Sequence, residues 1–284
     1  MTETARELAE RFGLKREGRG WAGTCPACGY PTGFKLHERE GRVLWSCVSC
    51  TDRAALTRAV IGNVAAERTA APERSPNRDD GDRRRSAMEL WDKGMPLTPG
   101  DPVSVYLAGR DVPPPASAPL RYLRQAKHPS GAFMPCVLAL VTDAAGHGVA
   151  LHRTFLAPGG AGKAKAEPVR MTLGMVRGGA VRLYPPGPRL VVGEGLETSL
   201  SAALLLRAPA WAAVSAGNLG DALILPAEVR EIIVAADHDA PGRAAAQRAA
   251  ARWKAEGRKV RIALPDKPGT DFNDLWRERA TRGE

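Results

Sequence analysis

Two kinds of residue cluster in this chain are equipped for chemistry. The first is a pair of cysteine couples, Cys25-x2-Cys28 and Cys47-x2-Cys50, with eighteen residues between them. Thiolates at this spacing suit a tetrahedral zinc ion held on two knuckles joined by a small sheet. Pro26 and Gly29 suit the tight turns that bring sulfurs onto one ion. The alternative is a redox dithiol pair, which is weaker because neither couple opens a long helix that would activate a thiolate. Four cysteines leave no open coordination position, so such a site is structural. His37, between the couples, reads as a surface residue. Phe34, Lys35, Arg42 and Trp45 surround the box. They either stack on and clamp single-stranded nucleic acid or form the core and rim of the ribbon.

The second cluster is acidic. In "IIVAADHDAPG", residues 232–242, an apolar run ends in Asp237-His238-Asp239. In a parallel α/β sheet ligands bind beyond the carboxyl ends of the strands. Asp237 ends a strand there, and Asp239 follows by two, so both can point one way. Adjacent carboxylates repel unless a cation lies between them, and Mg²⁺, a hard ion that takes carboxylate and phosphate oxygens, suits the pair. The alternative for Asp239 is a helix N-cap with Pro241 in the first turn, which leaves Asp237 unexplained. "VVGEGLETS" places Glu194 at another strand end, followed by Gly195, while Glu197 reads as a first-turn acid favoured by the helix dipole. Acids from two strand ends suit metal-dependent phosphoryl or nucleotidyl transfer. In "GTDFNDLW", Thr270 or Asp271 caps a last helix. His238 should face away from its neighbouring acids, and Asn218 in "SAGNLGD" either orients a ligand or makes a turn.

The elements that must hold these residues follow from periodicity. The 284 residues allow two or three domains. We divide them into a zinc-binding ribbon (1–61), a linker (62–86), a mixed α+β region (87–188) and an α/β region (189–284). The linker lacks apolar periodicity; its Arg83-Arg84-Arg85 run either touches phosphate or is solvated. In the mixed region "AMELWDKGMPL" and "PVSVYLAGRDVP" read as helices, and "PCVLALVTDAAGHGVALHRTFLAP" as two strands around a turn, with Cys136 a small core residue. In the last region "RLVVG", "AWAAVSA", "EIIVAAD" and "KVRIALP" are strands alternating with helices, the pattern of a parallel sheet covered on both faces.

Bulk composition agrees with this division. Charged residues make up 25% and apolar residues 44%, ordinary for a globular protein. No run of about 18 apolar residues predicts a membrane span, and the N-terminus lacks a signal-peptide core, so a cytoplasmic location is expected. A net charge of +10 favours a polyanionic partner such as nucleic acid, or reflects an arginine-rich soluble protein.

"GEGLET", "SAGNL", "DHDAPGRAAA" and "GTDFNDLW", in this order over residues 189–277, resemble the Toprim domain of primases from phage and mobile elements. "CPAC…FKL…WSCVSC" is similar to the N-terminal zinc domain of those primases, with Cys28 where a histidine is usual. "VYLAGRDVP" looks like their "YLxxRG" segment, with Asp111 in place of glycine, and Pro241 stands where the Toprim pattern has alanine. "HGVALHRTFLAPGGAGKAKAEPVRMTLG" resembles the basin subdomain that supplies basic residues to template and nucleotide. The resemblance implies an α/β and α+β multi-domain protein: a zinc ribbon, a mixed α+β basin and a Rossmann-like Toprim sheet.

Carried over residue by residue, the resemblance implies catalytic Glu194, Asp237 and Asp239 holding Mg²⁺ or Mn²⁺, with Asp271 near the metals. It implies zinc on Cys25, Cys28, Cys47 and Cys50. Arg110, Arg153, Lys163, Lys165 and Arg170 become the contacts to nucleic acid or nucleotide. The implied activity is DNA-dependent synthesis of short RNA primers from ribonucleoside triphosphates on a single-stranded DNA template. No P-loop of the GxxxxGK[ST] type is present, so a helicase partner would be a separate protein. The alternatives are a Toprim nuclease, against which the upstream ribbon and basin argue, and a non-catalytic nucleic-acid-binding accessory protein of a replication module, against which the intact acidic set argues.

Overall fold

The computed structural model describes residues 4–18, 20–39, 42–47, 53–61 and 78–282. The chain divides into two units, Met1–Arg74 and Ser75–Glu284.

The first unit opens with helix α1 (Ala5–Arg11), whose N-terminus Thr4 and Glu7 close as a reciprocal capping box. A four-stranded antiparallel sheet follows in chain order: β1 (Lys15–Glu17), β2 (Gly20–Gly23), β3 (Phe34–Arg39) and β4 (Arg42–Cys47). Strand alternation turns Phe34 and Leu36 inward and leaves His37 exposed. Helix α2 (Arg53–Ile61) adds Leu56 and Val60 to the same small core.

The second unit begins with α3 (Arg78–Asp92) and α4 (Pro102–Ala108). Helix α3 therefore covers residues 78–86, which composition had assigned to a linker. Its apolar face starts only at Ala87, but its first turns are held by an Arg85–Asp82 ion pair of 3.1 Å and by Arg84 Nε donating to the Gly148 carbonyl at 2.8 Å. Charged, solvent-facing turns carry no hydrophobic period to read. An antiparallel sheet follows: β5 (Leu120–Lys127), β6 (Phe133–Thr142), β7 (Gly148–Phe155) and β8 (Arg170–Gly174), in that order. Helix α3 packs on one face, with Cys136, Leu138, Leu151 and Phe155. Helix α4 packs on the other, with Val137, Ala139 and Ala150.

The remaining elements are β9 (Val181–Arg182), β10 (Arg189–Gly193), α5 (Leu196–Leu206), β11 (Ala210–Ala212), α6 (Ala216–Asp221), β12 (Glu231–Ala235), α7 (Ala240–Ala255), β13 (Lys259–Ala263) and α8 (Phe272–Arg282). Strands β10, β11, β12 and β13 run parallel, β9 antiparallel, in the order β13-β12-β10-β11-β9. The chain steps from β10 to β11 on one side and then crosses to β12 on the other. That makes the carboxyl ends of β10 and β12 a topological switch point, where open α/β sheets bind ligands. Helices α6 and α7 cover one face around Trp211 and Trp253; α5 and α8 cover the other. "SAGNLGD", read as a loop or turn, is helix α6. Its Ser215 Oγ caps the Asn218 N–H at 3.2 Å, and the preceding strand stops at Ala212 because Val214 takes a left-handed φ of 60°.

Two departures from the primase pattern have local reasons. Asp111 sits at φ 57°, where glycine is easiest but aspartate is among the better-tolerated alternatives. Pro241 lies in the first turn of α7, where no amide hydrogen is required.

Candidate active site

Strand β10 delivers Glu194 and β12 delivers Asp237 at adjacent carboxyl ends, since Gly193 pairs with Ala235. Both side chains are half-buried. The tight turn at Val214 donates its N–H to the Glu194 carbonyl at 2.9 Å, an unusual backbone for a β-branched residue and of the kind that clusters at functional sites. Burial, then the charge of Asp237, and more weakly that of Asp239, push the Glu194 carboxyl up to about 7, against the opposing pull of Arg170 and of the Ala216 N–H. Burial, then Asp271 and Asp239, raise Asp237 to about 6, although Thr198 Oγ1 donates to its Oδ1 at 3.3 Å. Four carboxylates from three strand-end or helix-start loops therefore share one field. Two are extra to their own local structure, and two also cap helices. Asp239 Oδ1 accepts from Gly242 N–H at 2.7 Å at the start of α7, and Asp271 Oδ1 accepts from Asn273 and Asp274 N–H at 2.7 and 3.0 Å at the start of α8. The cap and the acidic cluster are thus compatible readings of Asp239. His238 faces elsewhere, its Nδ1 against the Pro265 carbonyl at 2.8 Å.

The basic residues expected around this cluster separate into different places. Arg170, exposed at the start of β8, lies beside Gly195, its Nη1 3.9 Å from where a side chain there would begin. Its charge is felt by Glu194, Glu197 and Asp237 alike. Lys163 does not present a free ammonium: it pairs with Glu197 at 3.0 Å. Arg110 donates to Asn273 Oδ1 at 3.1 Å and stacks over Tyr106, with its guanidinium 5.7 Å from the ring centre. Lys165 is exposed, with no partner among the described residues. Arg153 lies on the other face of the sheet. Along β7, His152 and Thr154 face the side that Arg170 and Thr172 share, while Arg153 pairs with Met171 on the opposite face, beside Cys136 and over Phe155. Burial lowers its pKa, and its Nε has no hydrogen-bond partner among the described residues. Arg153 belongs to the α3 side of the sheet, away from the carboxylates.

Sequence reasoning missed a buried polar nest under the acidic cluster. Burial alone would raise Glu197, but the Lys163 ammonium, the Tyr106 hydroxyl donating to Oε1, its own backbone N–H and Arg170 outweigh it and bring it to about 2. Burial first, then the charge of Glu197, raise Tyr106 in turn. His152 is held neutral, pushed down to about 4 by burial and then by Arg170. A partial signal existed: seven of the eleven residues of "LETSLSAALLL" are apolar, so the helix offers only a narrow polar face to keep its acid in water. Lys163 reaches this nest because its loop is pinned on α4. Gly160 lies against the Pro102 carbonyl so closely that any side chain would start 2.0 Å from that oxygen. Asn218 is also explained. It accepts from Gly178 N–H and donates to the Gly179 and Ala213 carbonyls at 2.8 to 2.9 Å, so it is a buried clamp and not a ligand-orienting group.

In the first unit the Sγ atoms of Cys25, Cys28 and Cys47 lie within 4.8 Å of one another. The turn after β2 carries the first two, and Cys47 pairs across from Phe34 at the start of β3, which brings it to that turn. Cys50 lies outside the described residues. Phe34 is fully buried and Trp45 is packed into the same core, so neither is a free stacking face. Lys35 pairs with Glu17 at 3.1 Å. The side chain of Arg42 lies outside the described residues.

As donor sets, three convergent thiolates suit a soft-ligand metal. Carboxylates that feel one another's charge at the strand ends suit a hard divalent cation such as Mg²⁺ or Mn²⁺, although among the described residues only the three thiolates bring three ligand atoms within 4.8 Å of one another.

Residues 81–183 match the family model of a domain of unknown function (DUF7146), and residues 189–282 match that of the Toprim domain. The C-terminal third of the chain is a Toprim domain. No curated protein matches the chain at a significant level. Among solved structures, the DnaG catalytic core is 17% identical, with a TM-score of 0.50 over 71% of this chain and 78% of that one. The zinc-binding and RNA polymerase domains of the Aquifex aeolicus primase are 12% identical, with a TM-score of 0.48 over 98% of this chain and 82% of that one. The primase fragment of the bacteriophage T7 primase-helicase protein is 17% identical, with a TM-score of 0.45 over 93% and 96%. Over 71% of its length the chain shares its fold with the DnaG catalytic core.

Proposed function

We propose that this Toprim-bearing chain is a DNA-dependent RNA primase that makes short primers on single-stranded DNA by metal-dependent nucleotidyl transfer. The observation that carries the reading is the meeting of Glu194, Asp237, Asp239 and Asp271 at the switch point of a Toprim sheet. The 3′-hydroxyl oxygen of one nucleotide bonds to the α-phosphorus of the next, and pyrophosphate leaves. Glu194, Asp237 and Asp239, with Asp271 adjacent, would hold Mg²⁺ or Mn²⁺, which when bound sharpens the hydroxyl and offsets phosphate charge. Arg170 stands where it can meet nucleotide or template phosphate, and Lys165 adds exposed charge to the same segment. Lys163 and Arg110 act as positioning residues, the first through Glu197 and the second through Asn273.

Cys25, Cys28 and Cys47, with Cys50, would hold structural zinc, and the ribbon would engage the single-stranded template. Ribonucleoside triphosphates are the substrates, and a separate replicative helicase is the expected partner. No helix among the described residues is long and apolar enough to cross a membrane, which fits work in the cytoplasm.

The test is incubation of the purified chain with single-stranded DNA, labelled ribonucleotides and Mg²⁺ or Mn²⁺. Short labelled products are expected. A cut template without products would replace the reading with a Toprim nuclease; DNA binding with neither would replace it with an accessory protein. Elemental analysis should find one zinc per chain, lost in Cys47→Ser; zinc-free wild-type protein would remove the ribbon assignment.

A further inference from the structure

The Toprim strands have a second end. A cleft of about 1080 Å³ opens at the amino ends of β10, β12 and β13, roughly one five-residue strand, ~17 Å, from the acidic cluster. Five cations line it against two carboxylates, Glu231 and Glu256. Two of the five have structural work. Arg189 pairs with Glu231 at 3.0 Å, and Arg258 pairs with Glu256 at 2.9 Å while donating to the carbonyls of Leu225, Pro226 and Val229. The other three, Arg207, Arg230 and Lys259, are exposed, and their side chains have no partner among the described residues.

Arg207 supplies a second, independent observation. It ends α5 in the left-handed conformation, φ 48° and ψ 48°, a position that glycine or asparagine normally fills. A strained arginine at the lip of a cationic cleft is the kind of outlier that points to function. Among the described residues the lining contains no aromatic side chain, so they offer no face on which an unstacked base could sit. A duplex hides its bases and presents phosphates, which arginine meets as a planar fork.

We propose that this cleft docks the phosphate backbone of duplex nucleic acid through Arg207, Arg230 and Lys259, separately from the acidic cluster. The proposal rests on the reading that the chain works on nucleic acid, but not on the reaction it performs there. An acidic protein segment is the rival occupant, and single-stranded DNA the rival nucleic acid.

The test compares a blunt labelled duplex, labelled oligo-dT and poly-glutamate as competitor, using the full chain. In Arg207→Glu/Arg230→Glu/Lys259→Glu, duplex affinity should fall more than ~10-fold, and the log–log salt slope should shrink by about 2 to 3, as expected when three phosphate contacts are lost. Oligo-dT affinity and primer synthesis should stay near wild type. Arg207→Gly is the sharper variant: its melting temperature should rise as the strain is relieved, while duplex affinity falls a few-fold. Unchanged duplex affinity in either variant, equal loss for oligo-dT, or displacement of duplex by poly-glutamate at matched charge would overturn the proposal. Duplex binding lost in the triple variant, with a wild-type chain that binds duplex but makes no primers, would sink the catalytic reading and leave this one standing. Primer synthesis with unchanged duplex affinity would do the reverse.

Discussion

Glu194 and Glu197 lie three residues apart on one strand–helix junction, and the protein treats them in opposite ways. Burial pushes both carboxyls up. At Glu194 the next neighbours are Asp237 and Asp239, and the group rises to about 7. At Glu197 the neighbours are Lys163, the Tyr106 hydroxyl and a backbone amide, and the group falls to about 2. The difference teaches that depth alone does not separate a working carboxylate from a structural one. The sign of the nearest charges does. Glu197 is a satisfied ion that ties the loop carrying Lys163 to α5 and α4. Glu194 and Asp237 feel like charge, an arrangement that stabilises nothing in the chain itself and suits the binding of a cation.

The largest expected effect breaks the acidic side of this comparison. Asp237→Asn should cut nucleotide incorporation by more than the ~10–100-fold that outer-shell partners of a metal typically carry, while melting no lower than wild type at pH 8. Incorporation at the wild-type level would remove Asp237 from the site. On the paired side, Lys163→Met strands a buried carboxylate. It should cost about 2–4 kcal/mol, toward the lower part of the range for broken buried pairs because Lys163 is 27% exposed. Adding Glu197→Leu should recover much of that loss, and denaturant midpoints of both variants would measure the coupling. A single variant within experimental error of wild type would make the pair a surface contact.

The pH dependence of stability should carry opposite signs for the two carboxylates. Glu194, raised from 4.5 to about 7, and Asp237, raised from 3.8 to about 6, bind more protons folded than unfolded within those windows. Their contribution is therefore lost as pH rises through them. Glu197, lowered from 4.5 to about 2, contributes above pH 4.5 and loses its contribution as pH falls toward 2. Glu194→Gln should raise stability at pH 8 by on the order of 1–2 kcal/mol and flatten the fall between about pH 4.5 and 7. Glu197→Gln should instead lower stability at neutral pH and remove the acid-side loss. Melting curves for wild type and Glu194→Gln that run parallel across pH would contradict the like-charge account. The smallest stability change belongs to Asp239→Asn, because asparagine caps a helix about as well as aspartate. Its melting temperature should move by less than about 0.5 kcal/mol equivalent, while incorporation still falls. Full incorporation would leave Asp239 as a cap alone.

Much of the Toprim third was legible in advance. Short apolar strands alternating with helices mark a parallel sheet, and an acid directly after such a strand must lie at the ligand-binding end, whatever its partners. Glu194 and Asp237 could therefore be named from one-dimensional pattern, as could the Cys25-x2-Cys28 couple. The charged first turns of α3 were not legible, because a solvated helix has no apolar face. Nor was helix α6, whose start depends on the strained turn at Val214.

The sequence by itself determined that Glu194 and Asp237 follow strands, that Asp239 and Asp271 stand at helix starts and which side chains alternate along β7. Only the tertiary structure decided which face of β7 meets the carboxylates. Both faces are buried, so alternation places His152 and Arg153 on opposite sides without saying which side holds the site. Likewise only the fold joined Lys163 to Glu197 and Arg110 to Asn273, the latter 163 positions apart. The physical reason is range: periodicity, propensity and capping act over a few residues, whereas the charge beside a buried carboxylate is set by whichever segment the packing brings there. Such neighbours, through their charge and hydrogen bonds, separate Glu194, held near 7, from Glu197, held near 2.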